Sequence, residues 1–246
     1  MLNSIVGRMF ITSNIIAQIM ELRDKPLIAI LLVGFIPSAS VIFGIKIIEN
    51  ELLSQLFFAS CKVWIFLVPT IWYLKVERKP ISKKSPTKEG IVWGLITGIL
   101  MSLIIVITWF LFDETLDIDG MVDILQSKGL DNINLYILGM FYWIFINSLL
   151  EEYVFRWFIT TKSSELFRSD VIGIVFSAAM FTLHHAIALH LFGFIWWQTI
   201  IACFGLLSAA AIWSWLYVRF RSIWVCWLSH AICDVAVFGI GYTILF

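Results

Sequence analysis

Three short groups of ionisable side chains interrupt the apolar C-terminal half of this chain. Glu151, Glu152 and Arg156 lie in the run LGMFYWIFINSLLEEYVFRWFIT, His184 and His185 in FTLHH, and His230 and Asp234 bound HAICD. A carboxylate partly withdrawn from water gains proton affinity and can act as a general base toward a water molecule. Imidazoles can donate to a developing oxyanion or pass a proton to a leaving amine. The same donors could ligate zinc, with Glu151, His185, His230 and Asp234 as the candidates, although no HExxH is present. Metal-free water activation ranks above that reading, so no metal ligand is assigned. An ionised side chain at bilayer depth is costly and ordinarily faces a bundle interior or a wet cavity, so the groups require a functional explanation.

Spacing sorts the members. Glu152 and Arg156 are four apart, on one helix face, and can pair; this reads as a structural ion pair before a catalytic dyad. Glu151 is rotated by about 100° from Glu152 and need not share that partner. His230 and Asp234 are again four apart and project to one side. His184 is expected to face away from His185 and to serve as a packing or hydrogen-bonding residue. His190 falls near the end of its segment and is read as incidental. Asn147 and Ser148, about one turn before Glu151, are read as satisfying helix contacts.

The elements that position these groups are membrane helices. The chain is 61% hydrophobic and 14% charged over 246 residues, with a mean hydropathy of +0.94. A water-soluble surface could not be built from that composition. Successive apolar runs of roughly 20 residues match the ~30 Å of bilayer hydrocarbon. The predicted fold is all-α, a polytopic transmembrane bundle of about seven spans, near 27–48, 52–74, 91–112, 135–160, 171–192, 195–218 and 223–245. An interfacial amphipathic helix is expected over residues 3–20, because Arg8, Asn14 and Gln18 break its apolar run and no cleavage site follows. The chain reads as a single integral membrane domain, 1–246, with its motif-bearing core at 135–246. Pro37 and Pro69 lie inside spans, where lipid-embedded helices tolerate them. Trp72, Trp93, Trp157, Trp196 and Trp224 fall near span ends and read as an aromatic belt.

Charge sets the expected orientation. The 75–90 connection holds Lys75, Arg78, Lys79, Lys83, Lys84 and Lys88, whereas 113–134 is acidic apart from Lys128. Placing 75–90 in the cytoplasm puts the N-terminus inside and the C-terminus outside. Depth then agrees: Glu151 lies about 13 Å, His230 about 10 Å, Asp234 about 17 Å and His185 about 21 Å from the inner ends of their spans. A formal net charge of zero argues against a nucleic-acid partner. Cys61, Cys203, Cys226 and Cys233 lie in apolar runs without CxxC spacing and read as free thiols.

Taken in order, EEYVFR (151–156) resembles an EExxxR motif, FTLHH (181–185) an FxxxH motif and HAICD (230–234) an HxxxN/D motif. Together they are similar to the CPBP family of intramembrane proteases, also called the Abi or CAAX prenyl-protease type-2 family. The resemblance implies that Glu151 and His185 activate the attacking water and that His230 and Asp234 hold the oxyanion. Glu152, Arg156 and Phe181 match motif positions that support the site. The candidate catalytic set is therefore Glu151, Glu152, His185, His230 and Asp234, supported by Arg156 and Phe181. Asp234 differs physically from asparagine: ionised, it can only accept and would repel an oxyanion. It must carry a proton, orient His230 or ligate a metal.

The resulting expectation is an endopeptidase acting within the bilayer on a membrane-associated, prenylated or otherwise hydrophobic peptide. No cofactor is assigned beyond the candidate divalent metal, zinc. The rival readings are a non-catalytic scaffold or bacteriocin-immunity protein of the same fold, and a proton-coupled transporter. The transporter is weakened by the lack of a paired inverted repeat.

Overall fold

The computed structural model describes residues 24–80 and 85–246, so the helix expected over 3–20 lies outside the described residues. The fold is all-α, with no strand among the described residues. Among the described residues, seven helices are long and apolar enough to cross a membrane: α1 Pro26–Gly44, α2 Glu51–Val76, α3 Lys88–Thr115, α5 Ile133–Phe167, α6 Asp170–Leu191, α7 Trp196–Phe220 and α8 Ile223–Leu245. Each expected span has its counterpart, and the chain is an integral, multi-pass membrane protein. Large apolar side chains such as Phe110, Val171 and Phe204 point outward, as a lipid-solvated surface allows.

The acidic connection differs from the loop expected there. It holds a short helix, α4, Ile118–Ser127, capped by the Asp117 side chain accepting from Gly120 N. Ile118, Met121, Val122 and Leu125 are half-buried along one side while Asp119 and Asp123 are exposed. That is an amphipathic pattern with a helical period, hidden in the sequence by its acidic setting.

Two parallel pairs fix the bundle around the ionisable groups. α8 lies against α3 through a stripe of small residues. A Cβ at Gly94 would come within 2.8 Å of the Val225 carbonyl oxygen, and one at Gly98 within 3.0 Å of Ser229 backbone atoms. Only glycine permits that approach. Thr97 and Ser229 hydroxyls then meet at 2.9 Å, and Ser102 Oγ donates to the Ile232 carbonyl at 2.9 Å. These contacts hold the turn of α8 that carries His230.

α2 runs alongside α5 in the same direction. Lys62 meets Asn147, Tyr153 hydrogen-bonds with Thr70 Oγ1 and the Phe66 carbonyl, and Lys162 pairs with Glu77. Glu77 is also bound by Lys79 at 2.8 Å and accepts from Trp72 Nε1 at 3.1 Å. Trp72 is buried in this knot, a correction to its place in the aromatic belt; Trp93, Trp196 and Trp224 are exposed. Burial alone would raise the Glu77 carboxyl, but the hydrogen bonds and charges of Lys162 and Lys79 outweigh it and hold the group below its ordinary value. The four cysteines are free thiols.

Candidate active site

Glu152 and Arg156 sit on α5, both wholly buried, with Arg156 Nε donating to Glu152 Oε2 at 3.1 Å. Their stretch of α5, Glu152–Thr160, is wound as a π-helix, as is Tyr142–Asn147 just before it. Such irregular turns are frequent at functional sites and leave no sequence signal of their own. The Arg156 guanidinium lies 4.4 Å from the centroid of the Phe181 ring and 5.1 Å from that of Trp213. An aromatic enclosure with one carboxylate is how a buried arginine is tolerated.

The second oxygen of Glu152, Oε1, lies 2.8 Å from His230 Nδ1. A carboxylate only accepts, so Nδ1 carries the hydrogen and Nε2 is turned away from Glu152. Trp213 stacks on the His230 ring at 4.1 Å between centroids and donates from Nε1 to Ser229 Oγ at 3.0 Å. Arg156, Glu152 and His230 thus form a buried chain whose outer end is His230 Nε2. That nitrogen stands 3.8 Å from Glu151 Oε2 and 3.6 Å from Asp234 Oδ1. It is Glu152, and not Asp234, that hydrogen-bonds and orients His230.

Glu151 is the more accessible of the two glutamates, its side chain 13% exposed against 0% for Glu152. Asn147 Nδ2 donates to its Oε1 at 2.9 Å. His185 is fixed by α6 itself: Nδ1 lies 3.0 Å from the Phe181 carbonyl oxygen. A carbonyl can only accept, so the neutral ring carries its hydrogen on Nδ1 and presents the Nε2 lone pair to the site. Phe181 packs under the ring at 4.3 Å between centroids.

The structure brings the sequence-predicted residues Glu151, Glu152, His185, His230 and Asp234 together, with Arg156 and Phe181 beneath them. It also corrects the reading of His184. That ring does not turn away: its centroid is 4.0 Å from that of His185, and its Nε2 is 3.8 Å from Glu151 Oε1. It stacks on Phe155, with the planes 8° apart. Adjacent residues on a helix diverge by about 100°, but α5 lies across both directions, so both rings reach one carboxylate. Among the described residues, the donor set that could hold a metal ion is Glu151, His184 and His185, with one ligand atom of each within 4.8 Å of the others. His230 and Asp234, also among the expected metal candidates, are not in that group. Asn147 and Trp213 were also missed as site residues. Asn147 carried a weak signal, as a polar residue one turn from Glu151, whereas nothing marked Trp213 among so many tryptophans.

A multi-pass helical membrane protein with a buried carboxylate–imidazole site at the meeting of α5, α6 and α8 is the class that fold and geometry define. Residues 133–236, which hold all three groups, match the family described as Rce1-like, Type II CAAX prenyl endopeptidase. This segment of the chain is similar to the CAAX-protease family that its motifs resemble, and the match supports a CAAX-type protease without favouring the scaffold or the transporter. Comparison with curated proteins gives no match. Comparison with solved structures gives none either.

Proposed function

We propose that the chain is an intramembrane endopeptidase in which Glu151 activates the attacking water. The observation that carries this reading is the contrast between two adjacent glutamates. Glu152 is locked between Arg156 and His230, while Glu151 keeps partial exposure among three imidazoles. A water held about 2.8 Å from each of two acceptors can bridge atoms up to about 5 Å apart, and one ligand atom from each of Glu151, His184 and His185 lies within 4.8 Å of the others.

In the proposed reaction Glu151 and the Nε2 lone pair of His185 accept a hydrogen bond from this water, and Glu151 takes its proton. The hydroxide oxygen bonds to the scissile carbonyl carbon, and the carbonyl electrons move to oxygen. A donor must meet that oxyanion. His230 serves if it carries both ring hydrogens, Nδ1–H held by Glu152 and Nε2–H facing the site. Collapse of the intermediate breaks the carbon–nitrogen bond, and the proton taken from water passes to the leaving amine. Glu152 and Arg156 act by positioning His230. A protonated Asp234 would donate beside His230; an ionised one would repel the oxyanion.

The substrate class we propose is a membrane-associated peptide bearing a lipid near its cleavage site, which the lateral lipid phase would deliver to a site at this depth. The N-terminus is taken as cytoplasmic and the C-terminus as extracytoplasmic, following the basic 75–90 connection. The test compares processing of a prenylated C-terminal peptide by wild type and Glu151→Gln in the same membranes. A product formed by wild type alone is expected; equal product from both would overturn the role of Glu151. Glu151, His184 and His185 are the donors that would hold a divalent cation such as zinc, which would supply Lewis-acid polarisation of the carbonyl or water. Cleavage that survives chelation, by protein that elemental analysis finds free of bound metal, is the expected outcome.

A further inference from the structure

Lys62 lies near the middle of α2, in the part of the chain outside the family match. A lysine close to a helix end can extend its amine to the interface, but one at mid-span is costly to keep charged and usually has a specific partner. Its Nζ donates to Asn147 Oδ1 at 2.5 Å, and its ammonium sits 5.0 Å above the Phe58 ring centroid. The opposite end of the same amide, Nδ2, donates to Glu151 Oε1 at 2.9 Å. An ammonium has only hydrogens to offer, so it obliges the amide oxygen to face it and the amide NH₂ to face the carboxylate. The two oxygens of Glu151 are thereby made unequal. Oε1 is tied to Asn147, while Oε2 is directed toward His230 Nε2, 3.8 Å away.

The geometry points to Lys62 as a positioning residue for Glu151, holding its carboxylate through Asn147 so that Oε2 addresses the water. This inference rests on the reading of Glu151 as the base. It gives α2 a part in the site and explains why that helix is pinned to α5 at Tyr153 and Lys162 as well.

Two measurements on the full-length protein in detergent decide it. The first is a thermal-unfolding cycle of Lys62→Met, Glu151→Gln and the double variant. Each single change leaves one partly buried charge without its counterpart, so the double variant is expected to unfold no lower than the less stable single one. Midpoint shifts that simply add would overturn the coupling, whether or not any peptide is cleaved. The second is the kinetics of the product absent from Glu151→Gln. Lys62→Met and Asn147→Ala are each expected to lower kcat roughly 10- to 100-fold, the scale of a misplaced catalytic group, with KM little changed. Their double variant should be no slower than either, and Lys62→Arg should recover most of the rate. A raised KM at unchanged kcat would make Lys62 a substrate-binding group, and additive losses would remove Asn147 as the intermediary; either overturns the inference. Identical products from wild type and Glu151→Gln would instead overturn the reading of Glu151 as the base, leaving the unfolding cycle to judge the coupling by itself.

Discussion

Glu152 Oε1 and His230 Nδ1 meet at 2.8 Å although 78 residues separate them in sequence. The contact joins α5 to α8, and the other oxygen of Glu152 meets the wholly buried Arg156. One carboxylate therefore neutralises an arginine and sets the tautomer of a histidine.

Removing one member of that chain should be worse than removing two. Glu152→Gln leaves Arg156 buried without its counter-charge and is expected to cost about 3–5 kcal/mol. Glu152→Gln with Arg156→Met should recover a large part of that loss. Thermal unfolding of the purified variants in one detergent is the check, and equal stability of wild type and Glu152→Gln would refute the buried pairing.

The close approach of α3 to α8 makes its glycines sensitive. Gly94→Ala places a methyl group 2.8 Å from the Val225 carbonyl oxygen, where backbone must shift. We expect a loss of about 1–3 kcal/mol together with reduced activity, since His230 rides on the displaced helix. Gly205 on α7 has open space around it, so Gly205→Ala should stabilise by up to about 1 kcal/mol. Parallel melting curves of the two variants make the comparison.

Acid should loosen the knot between α2 and α5. The Glu77 carboxyl is depressed in the folded state, so its contribution is present above the unfolded value of about 4.3 and is lost as pH falls through the lower folded value. The unfolding midpoint should decline on acidification through this range. Glu77→Gln is expected to lower the midpoint at neutral pH and to flatten the acid decline. An unchanged pH profile would count against the ion cluster.

Phe181 packs under His185 and over Arg156 at once. Phe181→Ala should cost about 3–5 kcal/mol and disturb both groups. Phe181→Leu keeps most of the volume but no ring face, so it should retain more stability while still lowering the rate. Loss of stability without any effect on turnover in the leucine variant would confine Phe181 to packing.

Much of this protein is written in its sequence because the bilayer leaves few options. Runs of apolar residues long enough to cross hydrocarbon must be helices, since every backbone group has to be satisfied within the segment. Seven runs expected from hydropathy are seven helices, and their bounds moved by only a few residues except at the C-terminal end of α5. Within one helix, period also suffices: Glu152 with Arg156 and Phe181 with His185 pair as their four-residue spacing requires. What spacing could not determine is how each helix is rotated against its neighbours. The glycine stripe of α3 and the contacts between α2 and α5 set that rotation, and it alone brings His184 onto Glu151, lays Trp213 on His230 and turns the lysine of α2 toward Asn147. Those relations depend on contacts between distant segments, and local sequence carries no record of which face a helix will present to another.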